Sequence, residues 1–502
     1  MKMTKWLYYI AFGLLLFSKG IGLYDGTMAF KIFLIPALIC LALKMVMTRY
    51  NKREAVLTAL LLVSGAASYL LSGEKGLLIY ILLMAAMKSV PVRGIFTAGL
   101  VSWGIGFMGL TISSLFHLYN TPFKVHEKLG LGHMFRWGLG YVHPNVLHVS
   151  FLILLFFIVY VFQEKFNWKW ALAMFAANCY VFLYSVSYAG FGMVSVYLVL
   201  QLYWSYRKKV GRAEAVLSYL VFPGCALLSL AGPLVLEGKI YALTDSVLNN
   251  RLHLAENFLK VENFSLFGLR IENIITNNLT MDNAYVFAFI THGCIFFLGI
   301  FIVYQLAIRR MIRNNEGTRI VMTVVILLYG LVEPFPFNIS IKNLSVIFIG
   351  AFLWGETEAE NSEIILLPGI LKRINDFKEI LRGKKRTLIA VSLAAGIVCC
   401  ICCTKFTTVP EAYMVQRIDC EIIGKEFQTF PEDYAQNHPE VKVIDYVDDT
   451  TYMEVFSGNI VRIELARECI SAFLLGMSGM MIIISGLILG RYLVCGSRNE
   501  DL

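Results

Sequence analysis

The chain alternates between long apolar runs and short polar connections. Apolar runs fall near residues 4–20, 27–47, 55–72, 76–88, 94–115, 141–162, 169–185 and 190–205. Others fall near 214–232, 284–306, 319–333, 343–354, 387–403 and 469–490. A helix rising 1.5 Å per residue needs about 20 apolar residues to cross a bilayer, and most runs approach that length. The pattern predicts an all-α, polytopic integral membrane protein with about 14 transmembrane helices. The fourth and twelfth runs are short, which suits tilted or re-entrant segments. Longer polar stretches occupy 116–140, 233–283 and 404–468. Within the last, Thr451–Leu465 alternates around Ser457-Gly458-Asn459 and predicts a hairpin, giving a small α/β insert between the final two helices.

Composition agrees with the pattern. The chain is 58% hydrophobic and 16% charged, whereas soluble domains carry roughly 25% charged residues. The net charge of +9 does not point to nucleic acid, because Lys and Arg gather in short loops on alternate sides of successive runs. Arg207-Lys208-Lys209, Arg309-Arg310 and Lys384-Lys385-Arg386 set the orientation. Both termini are then cytoplasmic and 233–283 faces outward. The first run follows Met1-Lys2-Met3-Thr4-Lys5 without a small-residue cleavage site and reads as a retained span. Residues 1–354 form the transmembrane core, 355–386 a basic cytoplasmic linker on the anionic leaflet, and 387–502 a two-helix module carrying the outer domain 404–468. The cysteines lie mostly within spans as small hydrophobes, and Cys399, Cys400, Cys402 and Cys403 lack zinc-site spacing. Cys402 or Cys403 could pair with Cys420 or Cys469 on the outer side.

Candidate chemistry concentrates between Asn249 and His292. At about 100° per residue, Asp282, Tyr285, Phe289 and His292 fall on one helical stripe, with His292 roughly 15 Å below Asp282. Ionisable groups at that depth are costly and mark a functional path; the plainer reading is a cap and one satisfied buried histidine. Asp245–Lys260 predicts an amphipathic helix with Arg251 at the edge of its apolar face. His253 lies about 200° away from that face, too far round for one shared site. Arg251 suits either a lipid pyrophosphate or snorkelling to headgroups.

Upstream, Pro144 suits a first helical turn, making His143 the N-cap and placing Asn145 and His148 on one face. His143 and His148 lie about 140° apart, poorly placed for one metal. Glu333 could supply a carboxylate from a turn fixed by Pro334 and Pro336. There is no GxxxxGK[ST] or HExxH, and Asp448-Asp449 is only a weak acidic pair.

Four motifs occur in order: GYVHPNVLH at 140–148, NNRLHLAENFL with SLFGL at 249–269, MDNAYVFAFITHG at 281–293 and LVEPFPFN at 331–338. Over roughly residues 1–354 the chain thereby resembles the bacterial polysaccharide polymerases of the Wzy type, in the O-antigen ligase/polymerase superfamily. The resemblance implies a GT-C-like core in a bacterial plasma membrane. It implies a glycosyltransferase that needs no metal, nucleotide or other cofactor. A glycan on undecaprenyl diphosphate passes to a hydroxyl of an incoming lipid-linked repeat unit. The implied partners are that donor and acceptor, the bilayer, and the pathway's chain-length regulator and flippase, with no nucleic acid.

The resemblance casts Asp282 as the base, assisted by Asn283 and Tyr285. Arg136, Arg251 and Arg270 are implied diphosphate contacts, with His143, Asn145, His148, His253, His292 and Glu333 holding substrate. Where the family often shows Ser-Arg-Thr-Gly, this chain has Ser187-Tyr188-Ala189-Gly190, which removes one phosphate contact. A ligase-like transferase of the same superfamily, or a lipid-linked oligosaccharide flippase, are the alternatives. No internal repeat is apparent, which counts against a transporter. The last two spans resemble those of chain-length regulators, but the domain between them is small and reads as a family decoration or docking module.

Overall fold

The protein is described here from a computed structural model covering residues 2–116, 118, 123–128, 132–260, 263–270, 272, 280–355, 379, 381–406, 409–417, 441–444 and 452–497. All fourteen apolar runs are helical. Among the described residues, eight helices are long and apolar enough to cross a membrane, as in a multi-pass membrane protein.

Contacts divide the chain into two compact units, one of Met1–Thr121 with Gly138–Glu358, the other of Pro122–Trp137 with Ala359–Leu502. The first unit opens with α1 (Lys2–Gly20), α2 (Met28–Val46), α3 (Lys52–Ser72), α4 (Gly76–Ala86) and α5 (Val92–Leu115). The hairpin β1 (Phe123–Lys128) and β2 (Gly132–Trp137) follows, and belongs to the second unit. The first unit resumes with α6 (Pro144–Val161), α7 (Trp168–Ser185), α8 (Tyr188–Arg207), α9 (Arg212–Leu230) and α10 (Gly232–Val235). It closes with α11 (Gly238–Val247), α12 (Arg251–Phe258), α13 (Ala284–Arg313), α14 (Gly317–Tyr329) and α15 (Ser345–Trp354).

The sequence expected one amphipathic helix over Asp245–Lys260, and the chain builds two. Asn249 and Asn250 both take left-handed backbone (φ 55° and 63°), which breaks the helix. The Asp245 carboxylate then accepts from the Leu252 and His253 amides at 2.9 and 3.1 Å, starting α12 afresh. Asparagine tolerates this conformation better than most residues, and a carboxylate suits a helix N-terminus.

The longest helix of this unit, α13, is itself broken. Gly293 has φ 83° and ψ 168°, a conformation open essentially to glycine alone. Residues 265–269 dock against the break: the Cys294 and Ile295 amides donate to Ser265 and Leu266 at 3.1 Å, and Leu269 donates to Ile290 at 3.2 Å. A Cβ on Gly293 would sit 2.2 Å from the Gly268 nitrogen, and one on Gly268 would sit 2.1 Å from the Thr291 carbonyl oxygen. Two glycines thus let a loop backbone meet a helix backbone in direct contact.

In the second unit, β1 and β2 pair antiparallel, Phe123 opposite Trp137 and Val125 opposite Phe135. The helix α16 (Lys385–Phe406) leads to β3 (Ala412–Arg417), which pairs parallel with β4 (Val441–Ile444) and antiparallel with β5 (Tyr452–Ser457). The chain ends in α17 (Asn459–Ser497), which packs along α16. Phe123, Val125, Phe135, Tyr413, Ile460 and Val461 share one apolar cluster. The hairpin therefore supplies part of the core of a domain whose other strands lie far downstream.

One strand expectation fails here. Ile460–Leu465 is not the second arm of a hairpin but the first turns of α17. Gly458 turns the chain in left-handed backbone, β5 pairs with β3 instead, and Ile460 and Val461 bury as helical neighbours. Burial outweighs the β-propensity of Ile and Val. Cys420, Asp448-Asp449 and most of the linker 355–386 lie outside the described residues.

Two outcomes follow from this packing. Gly293→Ala is expected to destabilise the protein by more than about 3 kcal/mol, from a forbidden conformation plus a backbone clash. Gly299→Ala, on the same helix with nothing within 4 Å of its added Cβ, should be tolerated. Thermal unfolding of the purified variants in detergent compares them. In the second unit, Phe135→Ala removes a ring with no exposed surface and should cost about 3–5 kcal/mol. Limited proteolysis should then cut the domain around β3–β5 faster while sparing α1–α5.

Candidate functional site

The site begins at the start of α13. The Asn283 side chain caps the helix, its oxygen accepting from the Tyr285 and Val286 amides at 2.9 and 3.2 Å. Its amide group donates to Ser229 Oγ at the end of α9 (2.9 Å) and to the Leu331 carbonyl past α14 (3.1 Å). The Ala284 amide donates to the Gly330 carbonyl at 2.8 Å, and the buried Tyr285 hydroxyl donates to the Leu327 carbonyl at 2.8 Å. Asn283 and Tyr285, expected beside a catalytic base, are thus occupied in joining α13 to the ends of α9 and α14.

Asp282 precedes the helix, not on the Tyr285–His292 stripe that helical periodicity assigned to it. Its carboxylate pairs with the Arg251 guanidinium at 2.8 Å, with side chains 28% and 12% exposed. Arg251 is aimed by the Asn249-Asn250 turn, and its Nε donates to the Val332 carbonyl at 3.3 Å. Next along that chain, the Glu333 carboxylate accepts from the Asn145 side-chain amide at 2.9 Å. Asn145 lies in the first turn of α6, capped as expected by His143, whose Nδ1 accepts from the Asn145 amide at 3.1 Å. Asn145, Arg251, Asp282 and Glu333, one from each motif, form one polar cluster.

The charges in this cluster shift one another. Burial pushes the Glu333 carboxyl up to about 7; the Asp282 charge adds to the rise, while Arg251, the Asn145 hydrogen bond and Lys342 oppose it. Glu333 can therefore hold or release a proton near neutral pH, beside a guanidinium that stays charged. The ammonium of Lys342, itself buried, is pushed down to about 7 by burial and by Lys19, with Glu333 opposing.

The other expected residues are placed elsewhere. His148 has no exposed surface, and its ring nitrogens meet Ser185 Oγ and Asn178 Oδ1, both at 2.8 Å. Its imidazole is turned toward α7 and α8, and does not share Asn145's surroundings. Gly190 lies against that ring, where a Cβ would stand 2.5 Å from the imidazole Cγ; the Ser187-Tyr188-Ala189-Gly190 stretch is shaped by this contact. His292 is buried between Ser68 Oγ (3.1 Å) and the Phe337 carbonyl (3.4 Å). His253 and Arg270 are exposed. Arg136 is buried on β2 in the second unit.

Buried charges that periodicity did not single out lie nearby: Lys19, Glu74 and Lys342. Their signal was available as charged residues at the margins of apolar runs, on the side that the loop charges leave poor in lysine. Among the described residues, no three His, Cys, Asp or Glu side chains converge as metal ligands. Comparisons with protein-family models, curated proteins and solved structures returned no match.

A pH test follows from Glu333. Its raised value means that the folded state holds the proton more tightly than the unfolded chain. The stability this contributes is complete below the ordinary carboxylate value of 4.5 and is lost as pH rises through about 7. Glu333→Gln keeps an acceptor for Asn145 and removes the buried charge. The variant's unfolding midpoint should exceed wild type at pH 8, with the gap closing toward pH 5. A gap that does not change with pH contradicts the burial of this carboxylate among Asp282, Arg251 and Lys342.

Proposed function

We propose that the chain is a multi-pass glycosyltransferase that polymerises polyprenyl-diphosphate-linked repeat units into a surface polysaccharide. In this reading the fourteen apolar runs are membrane spans, twelve of them in a GT-C-like core over residues 1–354, in a bacterial plasma membrane. Both termini lie in the cytoplasm and the polar cluster faces outward. The observation that carries the reading is the convergence of Asn145, Arg251, Asp282 and Glu333 from four distant stretches of sequence. A pinned guanidinium beside a carboxyl that titrates near neutrality is what transfer from a diphosphate leaving group asks for.

Glu333 takes the role of general base in place of Asp282. The Asp282 carboxylate is committed to Arg251, so its part is to hold that guanidinium in position. An acceptor hydroxyl of the incoming repeat gives its proton to Glu333 as its oxygen bonds to the donor's anomeric carbon. The bond from that carbon to the diphosphate breaks, and the electron pair leaves with the diphosphate against Arg251. Asn145 orients Glu333 through its amide hydrogen bond. Alongside, α11 exposes Ile240, Leu243 and Val247 at helical spacing, a face suited to the lipid–water interface and to a polyprenyl chain beside it.

A second reading has one observation in its favour. Helices broken inside the membrane are a device of secondary transporters, and α13 is broken at Gly293. The break is filled by the protein's own backbone at residues 265–269, which favours the enzyme over a flippase.

Purified protein incubated with one native lipid-linked repeat should yield a polymer ladder on a gel. Glu333→Gln should slow the ladder by about a hundredfold or more. Arg251→Lys should impair donor use, because an ammonium cannot make the forked contact. Asp282→Asn should fall between wild type and Glu333→Gln. Movement of the repeat across proteoliposomes without any ladder would assign the protein to the transporter class. A full-rate ladder from Glu333→Gln would remove it as the base.

A further inference from the structure

The polar cluster makes no use of the cysteines that crowd the end of α16, and the packing of the second unit gives them a partner. Gly396 meets α17 backbone to backbone: a Cβ there would stand 2.8 Å from the Phe473 carbonyl oxygen. Gly476 does the same from the other helix, where a Cβ would stand 2.5 Å from Cys399 Sγ and 3.1 Å from the Ala395 carbonyl oxygen. Glycine at both positions removes the side chains that would hold two helices apart. Contacts climb α16 as they retreat along α17. Ala395 and Cys399 meet Gly476, Gly396 meets Phe473, and Cys400 and Cys403 meet Cys469. The pair is therefore antiparallel.

This register brings three thiols together. From Gly396 and Phe473, four residues on along α16 and four back along α17 lead to Cys400 and Cys469, one helical turn from the backbone contact. The Cys469 thiol is hydrogen-bonded with Cys403 and with Cys400. All three residues are half-buried, whereas Cys402, next round the helix, is exposed. A disulfide asks for Cα atoms about 4.4–6.8 Å apart, a separation that helices spaced by large side chains do not reach. The two glycines supply that closeness. Cys403 and Cys469 also bracket residues 404–468, the stretch that carries β3, β4 and β5. A bond between them closes that stretch into a loop at its foot.

We propose that Cys469 is a thiol–disulfide exchange site, which pairs with Cys403 in a bond tying α16 to α17, with Cys400 as the alternate partner. The oxidant is the disulfide of a partner oxidoreductase. The Cys469 thiolate attacks one of its sulfurs and breaks the partner's S–S bond. The Cys403 thiolate then attacks Cys469 Sγ and displaces the partner as a dithiol. One S–S bond forms and one breaks, and the two thiol protons and two electrons pass to the partner. The inference rests on the proposed reading for orientation alone, which puts this end of both helices in the outer compartment, where disulfides persist.

The test uses full-length protein in native membranes prepared without reductant. Thiols are blocked with N-ethylmaleimide in denaturant, disulfides are reduced, and the released thiols are counted by gel shift with maleimide-linked polyethylene glycol. Two tags are expected in wild type and in Cys402→Ser, and none in Cys469→Ser. Cys403→Ser should keep two, with peptide mass spectrometry placing the bond at Cys400 and Cys469; adding Cys400→Ser should abolish it. Reduction should speed proteolysis of residues 404–468 severalfold, and Cys469→Ser should match reduced wild type in both cleavage rate and unfolding midpoint, so that loss of the bond is not misfolding. A bond from Cys469 to any other cysteine overturns the proposal. Where native membranes hold only thiols, the purified reduced protein is incubated with an oxidised dithiol oxidoreductase. Formation of the Cys403–Cys469 bond then keeps the site and corrects the orientation, and thiols that stay open to blocking overturn the site. The bond in a protein that makes no ladder keeps the site and discards the polymerase.

Discussion

Backbone hydrogen bonding is the constraint on which the first unit depends. In an apolar surrounding, an unpaired peptide N–H or C=O has no water to turn to, so a broken helix must find partners within the protein. At Gly293 those partners are the peptides of residues 265–269. The exchange needs two backbones in contact, hence glycine at both 268 and 293. It also fixes where residues 265–269 lie against α13, in the stretch of sequence between Arg251 and Asp282.

On that frame the electrostatics are uneven by construction. Arg251 and Asp282 neutralise each other at a partly exposed position. Glu333 and Lys342 attract each other, while Lys19 repels Lys342 and itself faces Asp25 and Glu74. Groups in this state respond to the arrival of another charge more strongly than a surface residue could. The hydrogen bonds that hold Asn283, Asn343 and Tyr285 keep their carriers rigid while the charges adjust.

Much of the helical layout was legible because apolar runs of membrane length have few other solutions. The Pro144 start of α6 and its His143 cap could be read directly, since proline at a first helical turn has one consistent place. The site was legible in part. Arg251, Asp282, Asn145 and Glu333 drew notice as polar residues at the edges of apolar runs, but periodicity could not say which would meet. His148 and Asn145 share a helical face on paper; a difference in depth of one turn gave them different neighbours. Asp282 lost its assigned stripe because Asn283 is the better cap and starts the helix one residue later. The hairpin Phe123–Trp137 was missed although Phe123 and Val125 alternate with polar residues, for the residues that cover its apolar face, Tyr413, Ile460 and Val461, lie far downstream. Ile460–Leu465 misled in the opposite sense, its β-branched residues serving a helix that runs on into the final span.

The hairpin has a consequence for how the protein is made. Phe123, Phe135 and Trp137 leave the ribosome long before Tyr413 and Ile460, which cover them in the finished fold. At about 5–20 residues per second, synthesis of the intervening chain takes on the order of fifteen seconds to a minute. Throughout that interval a two-stranded ribbon with an apolar face stands without its partner, longer than a pair of strands can shield itself. Biogenesis of this protein therefore includes a waiting state.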